Sequence, residues 1–127
     1  MLGKLAARAA GSAQVKDFGR TLVKDHTKAR RQAIEVAREL HVTPSSHATV
    51  SADAEYAKLQ LLSVASFDRE FDAYMVRDHR DDIAAFQAEA EGDAGPAGRL
   101  AHKQLPTLNE HLQMAQSLME MDKSAGR

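Results

Sequence analysis

From Ala13 to Leu40 the apolar residues Val15, Phe18, Leu22, Ala29, Ala33, Val36 and Leu40 follow one another at gaps of three, four and seven. That spacing is the stripe of a helix burying one side in a bundle. Ser12 is an N-cap for it, directly after Gly11, which closes the end of an earlier helix over Met1 to Ala10. The same period returns twice. Phe67, Phe71, Tyr74, Met75, Ile83 and Phe86 line a long helix predicted from Phe67 to about Ala90. Leu105, Leu108, Leu112, Ala115, Leu118 and Met119 line a last helix from Pro96 or Ala97 to Met121. A shorter helix, capped by Ser51 with Asp53 and Glu55 in its first turn, runs to about Leu62 and turns Tyr56, Leu59 and Leu62 inward. Thr43-Pro44-Ser45-Ser46 and the glycine-rich stretch from Gly92 to Gly98 break the chain, and Ser63 to Ser66 is a brief link. Pro106, inside the last helix, is expected to kink it or force a short break.

Composition agrees with this reading. Aromatic residues make up 5% of the chain, tryptophan is absent, and there are seven glycines and three prolines in 127 residues. Little is left from which to build a sheet, so the fold class is all-α. The length suits one domain, Met1 to Asp122, followed by a frayed tail over Lys123 to Arg127. With 17 basic and 18 acidic residues mixed along the chain, net charge is −1, and no basic cluster with interleaved aromatics marks a nucleic-acid partner. There is no cysteine, which removes disulfides, thiolate ligands and cysteine nucleophiles. No stretch approaches the roughly 18 apolar residues of a membrane span. Met1-Leu2-Gly3-Lys4-Leu5-Ala6 lacks the apolar core of a signal peptide, so the residues alone read as a soluble chain that does not insert into a membrane.

Three histidines each follow directly on a carboxylate, as Asp25-His26, Asp78-His79 and Glu110-His111. His26 fills the gap between Leu22 and Ala29, His79 lies four residues from both Met75 and Ile83, and His111 sits beside Leu112 at the edge of its stripe. All three are expected to point inward. Each is roughly 18–22 Å along its own helix, and inverting a helix preserves mid-height, so the imidazoles of antiparallel neighbours converge on one layer. Neutral imidazole is the commonest protein ligand for zinc, copper, nickel and iron. The expectation is a divalent-metal site of His26, His79 and His111, for zinc first and copper next, with Asp25, Asp78, Asp82, Glu110 or water in the fourth position. The carboxylates have a second possible role, accepting the other ring N–H of a histidine on a neighbouring helix. Met75 and Met114 are thioether candidates for copper, whereas His41, His47 and His102 read as surface residues.

Such a site would sequester or sense metal. The competing reading is a structural or protein-interaction bundle whose buried histidines are hydrogen-bonded. A third, an enzyme activating water at an open metal position, finds no positive support. No glutamate has a histidine three residues later, as ferritin-type di-iron sites require, and there is no phosphate loop, nucleophile elbow or H-E-x-x-H.

Several phrases in order are Leu2-Gly3-Lys4-Leu5-Ala6, Val15-Lys16-Asp17-Phe18-Gly19-Arg20 and Val23-Lys24-Asp25-His26-Thr27. Phe67-Asp68-Arg69-Glu70-Phe71, Met75-Val76-Arg77-Asp78-His79 and Leu105-Pro106-Thr107-Leu108-Asn109-Glu110-His111-Leu112 complete the series. Together they resemble the bacterial domain of unknown function 4142, classed as ferritin-like. The resemblance implies a ferritin-like, up-and-down, four-helix-type bundle with a truncated first helix. It also implies a place in the periplasm or elsewhere in the cell envelope, and maps the family's histidine motifs onto His26, His79 and His111. It implies little about activity. Two departures stand out. The family's first-helix glutamate would fall where this chain has Met1, within a helix that usually extends further upstream. The position four after the first histidine, often asparagine in the family, is Arg30.

Overall fold

In the computed structural model, which describes residues 1–43 and 50–125, the chain forms α1 (Leu2–Ala9), α2 (Ala13–Glu39), α3 (Val50–Gln60), α4 (Val64–Gly92) and α5 (Pro96–Ala125). No strand occurs among the described residues. The all-α expectation holds, and the helices assemble as a bundle. The Ser12 hydroxyl accepts the Val15 amide at 3.1 Å, so α2 starts where the sequence places it. At its other end Val42 donates to the Ala37 carbonyl at 2.9 Å while His41 takes a φ of 56°, the left-handed stop that usually falls to glycine.

Some boundaries differ from expectation. Ser63 accepts the Ser66 amide and starts α4 at Val64, which absorbs the predicted link. Ser51 lies inside α3 rather than capping it, and its hydroxyl is 3.3 Å from the Tyr74 phenol. Pro106 does not break α5, which runs on to Ala125, so Lys123 and Ser124 of the predicted tail are helical. The omitted bond at Pro106 is one among those of a 30-residue helix packed on two others, and those contacts outweigh it. Pro44, Ser45, Ser46 and His47 lie outside the described residues.

α5 lies along α4 and α2, α1 lies along α2 and α4, and α3 rests on α1 and α4. The core gathers Leu2, Leu5 and Ala6 of α1 with Val15 and Phe18 of α2, Leu59 of α3, Phe67, Phe71, Tyr74, Met75 and Val76 of α4, and Ala115 and Leu118 of α5. Phe18 meets Phe71 edge-on at 6.0 Å, and Phe71 stacks on Phe67 at 6.0 Å. α1 and α2 cross backbone to backbone at Gly3 and Gly19. A Cβ on Gly19 would lie 2.6 Å from the Gly3 carbonyl oxygen and 2.7 Å from the Ala7 nitrogen, so neither wall of that crossing has room for a side chain.

The α1–α2 turn is tied to α4 by one carboxylate. Asp68 accepts the Gly11 amide at 2.7 Å and the Ser12 amide at 2.8 Å, one on each oxygen. Its negative charge thus sits at the amino end of α2, where the helix dipole favours it. α1 has 8 residues and α2 has 27, so α1 can flank only one half of α2. Beyond the level of His79 the buried apolar residues dwindle to Ala37, Ile83 and Ala101.

Candidate metal centre

Two of the three histidines meet at the boundary between these halves. His79 of α4 and His111 of α5 are each 5% exposed, and their rings lie edge to face with centroids 5.5 Å apart. His79 arrives there because it continues the buried row Met75, Val76, His79, Ile83 on α4. His111 stands one turn before Ala115 on α5 and packs edge-on against Phe18 of α2 at 6.5 Å.

Each ring has one nitrogen engaged. Nδ1 of His79 is 2.8 Å from the Met75 carbonyl oxygen. A carbonyl can only accept, so the proton resides on Nδ1 and Nε2 carries the lone pair. Burial holds the His79 imidazole below its usual pKa, further than the Met75 bond and the Asp78 charge can offset, so the ring is neutral at pH 7. Nε2 of His111 is 2.7 Å from a carboxylate oxygen of Asp25, whose side chain is 29% exposed. The ring donates from Nε2, which leaves Nδ1 as its lone-pair nitrogen in the neutral form. Asp25 therefore takes the second of its two expected roles, as acceptor for a histidine on a neighbouring helix.

His26 does not join them, which corrects the expectation that it points inward. Its side chain is exposed on α2. Asp25, one residue earlier, takes the inward position by meeting His111, and the next residue is turned about 100° further round α2. Partial desolvation, then the Met1 amino group, Arg30 and His111, hold the His26 imidazole below its usual range. Glu110 is likewise exposed, facing an open groove between α2 and α5 that Asp17, Thr21, Gln113 and Met114 also line. A residue next to an inward one is turned about 100° round the helix, and here that rotation ends in solvent.

Asp78 and Asp82 lie half-buried along α4, and among the described residues neither is joined to an imidazole by a hydrogen bond or ion pair. Burial pushes the Asp78 carboxyl up. It pushes Asp82 up to about 6, helped by the charges of Asp78 and Asp81. Met75 is in the core and contributes its carbonyl rather than its sulfur, while Met114 is 41% exposed. His41 and His102 are on the surface. Among the described residues no group of three or more histidine, aspartate or glutamate side chains is close enough to hold a metal ion.

Three polar sites escaped the sequence reading: Asp68 at the α1–α2 turn, the Glu55–Glu70 pair between α3 and α4, and Asp72 with Asp122 between α4 and α5. Burial raises Glu55 to about 7, with Glu70 beside it and Lys58 and Arg77 opposing the rise. Lys58 reaches Glu70 at 3.0 Å, closing this network at the surface. A signal for Asp68 and Asp72 did exist. They stand four apart in a row that continues through Val76, His79 and Ile83, all buried.

Fold and site together define an all-α bundle with a buried, oppositely anchored pair of imidazoles at the meeting of three helices. A family model described as a domain of unknown function, DUF4142, matches residues 1–118, and the chain belongs to that family. No curated protein and no solved structure matches it.

Proposed function

We propose that this protein is a ferritin-like bundle with a short first helix that binds a divalent transition metal, zinc first and copper next, in the bacterial cell envelope. Metal is held through Nε2 of His79 and Nδ1 of His111. One observation carries the reading: each ring commits one nitrogen to a fixed acceptor, His79 to the Met75 carbonyl and His111 to Asp25, and keeps the other for a lone pair. Ligating histidines are oriented in this way, and a carboxylate on the far nitrogen raises ligand basicity. Two nitrogen donors leave further positions to water, to a small ligand, or to His26 turning in from the surface beside His111. An incomplete protein shell suits sequestration or sensing by an exchangeable ion better than a closed structural site. Catalysis is not part of the proposal. The envelope location rests on the resemblance to a family that is usually exported.

A second reading is favoured by a specific fact: the His111–Asp25 bond already satisfies both partners without any ion, and among the described residues a third ligand is not at hand. On that reading Asp25, His111 and His79 form a polar seam in a structural or protein-interaction bundle. Elemental analysis of protein purified without a histidine tag or added metal, followed by melting with and without chelator, separates the two.

Metal bound only by the folded state stabilises it by about 2.7 kcal/mol at a hundredfold excess over the dissociation constant. Near neutral pH chelation is expected to lower the melting temperature. Below about pH 5 it should do so much less, because binding needs neutral imidazoles. His79→Ala abolishes the chelator response and His102→Ala leaves it intact. A parent melting curve unchanged by chelator, once metal is shown to have been removed, overturns the proposal in favour of the polar seam.

A further inference from the structure

The side chain of Asp72 is 0% exposed, in the midst of the α4 row. Neither of its carboxyl oxygens meets a hydrogen-bond donor among the described residues, and Oδ2 of Asp122, near the end of α5, is in the same position. The Asp122 carboxyl on α5 acts on Asp72 both as a hydrogen-bonding partner and as a charge, and α4 and α5 are in contact. Two like charges side by side in a buried site repel strongly, and desolvation adds to that. One proton removes both difficulties, because a carboxyl can donate to a carboxylate. We propose that Asp72 and Asp122 share a single proton, and that this proton is a latch holding the C-terminal end of α5 on α4, released as the solution turns alkaline.

Among the described residues the surroundings offer no other neutralising group. The charges acting on Asp72 are those of Asp122 on α5 and of Asp68 one turn earlier on α4, both negative. Asp68 is occupied with the Gly11 and Ser12 amides. α1 and α2 bring Leu2, Leu5, Ala6, Val15 and Phe18 to this core, and Lys4 and Arg8 of α1 are exposed. From α3 comes Leu59, while its Glu55 pairs with Glu70. Burial first, then the Asp122 carboxyl as partner and as charge, push Asp72 up to about 9.

The folded state therefore prefers the protonated form. Its stabilisation is complete below about pH 4, the unfolded carboxyl range, and is lost as pH rises toward about 9. For one linked proton the folding equilibrium constant falls about tenfold per pH unit inside that window.

The test is chemical denaturation from about pH 8 to 9, above the value of about 7 to which Glu55 is raised. Asp72→Asn keeps the shape of the side chain and supplies a neutral donor to Asp122. The ratio of its folding constant to that of the parent is expected to rise with pH, by up to about tenfold per unit. At about pH 8.5, above the values to which Glu55 and Asp82 are raised and below that of Asp72, the infrared carbonyl band of a protonated carboxyl should be stronger in the parent than in the variant. Amide exchange, corrected for intrinsic rates, should lose protection with pH at residues 119–125 before the rest of α5 in the parent only. If Asp72→Asn does not fold, Asp122→Asn is read against the same three outcomes. Stability curves that stay parallel, an infrared band of equal intensity in parent and variant at about pH 8.5, or uniform loss of protection along α5 would each overturn the latch.

Discussion

Replacing Phe71 by alanine is expected to destabilise the fold by about 3–5 kcal/mol, the range for removing a large aromatic from a filled core. The ring is 0% exposed, stacked on Phe67 at 6.0 Å and met edge-on by Phe18 at 6.0 Å. Its removal takes away the buried surface of one of the few large side chains and leaves a void that α1, α2 and α4 can only partly close. The loss should travel further than the cavity. Phe18 is held between Phe71 and His111, so the variant should also loosen the seat of the His111 imidazole. Urea unfolding gives the energy, and proton NMR of the His111 ring gives the second effect. A change below about 1 kcal/mol would mean that this aromatic cluster is not the core.

Asp68→Ala is expected to remove about 3 kcal/mol, because hydrogen bonds to a charged group contribute roughly 1.5–3 kcal/mol each in mutational series. Two such bonds, to the Gly11 and Ser12 amides, disappear together. They join the only turn between α1 and α2 to α4, so α1 should become the first helix to fray, visible as early amide exchange over Leu5 and Ala6. Asp68→Asn keeps one acceptor oxygen and should fall between the alanine variant and the parent. Equal loss in both variants, or a loss under about 0.5 kcal/mol in the alanine variant, would show that water replaces the carboxylate freely.

The helices were legible because their signal is local. Gaps of three and four along α2, α4 and α5, with Ser12 ahead of α2, specify helix and inward face without knowledge of any partner. His79 was legible for the same reason, being four residues from Met75 and from Ile83 on one row. His26 was not. Between Leu22 and Ala29 both the third and the fourth position lie within the stripe, so Asp25 and His26 fit the period equally well. Hydropathy favours the histidine, but His111 on α5 supplies a hydrogen bond that draws Asp25 inward. A contact 86 positions along the chain has no imprint on local periodicity. Asp72 was missed by the converse argument. A carboxylate is placed in solvent by default, and only the facing Asp122 makes a protonated, buried form tolerable. Pro106 forces no break in α5, because a single lost helix bond is small beside the burial of a long helix against two neighbours.

The most direct measurement of metal binding is nitrogen NMR of the imidazole rings during titration with zinc. Nε2 of His79 and Nδ1 of His111 are expected to shift together and to saturate near one equivalent. Nδ1 of His79 and Nε2 of His111 should keep their protons against Met75 and Asp25, and His41 and His102 should not move. Unchanged His79 and His111 resonances at saturating zinc, or shifts confined to the exposed histidines, would contradict metal binding at this pair.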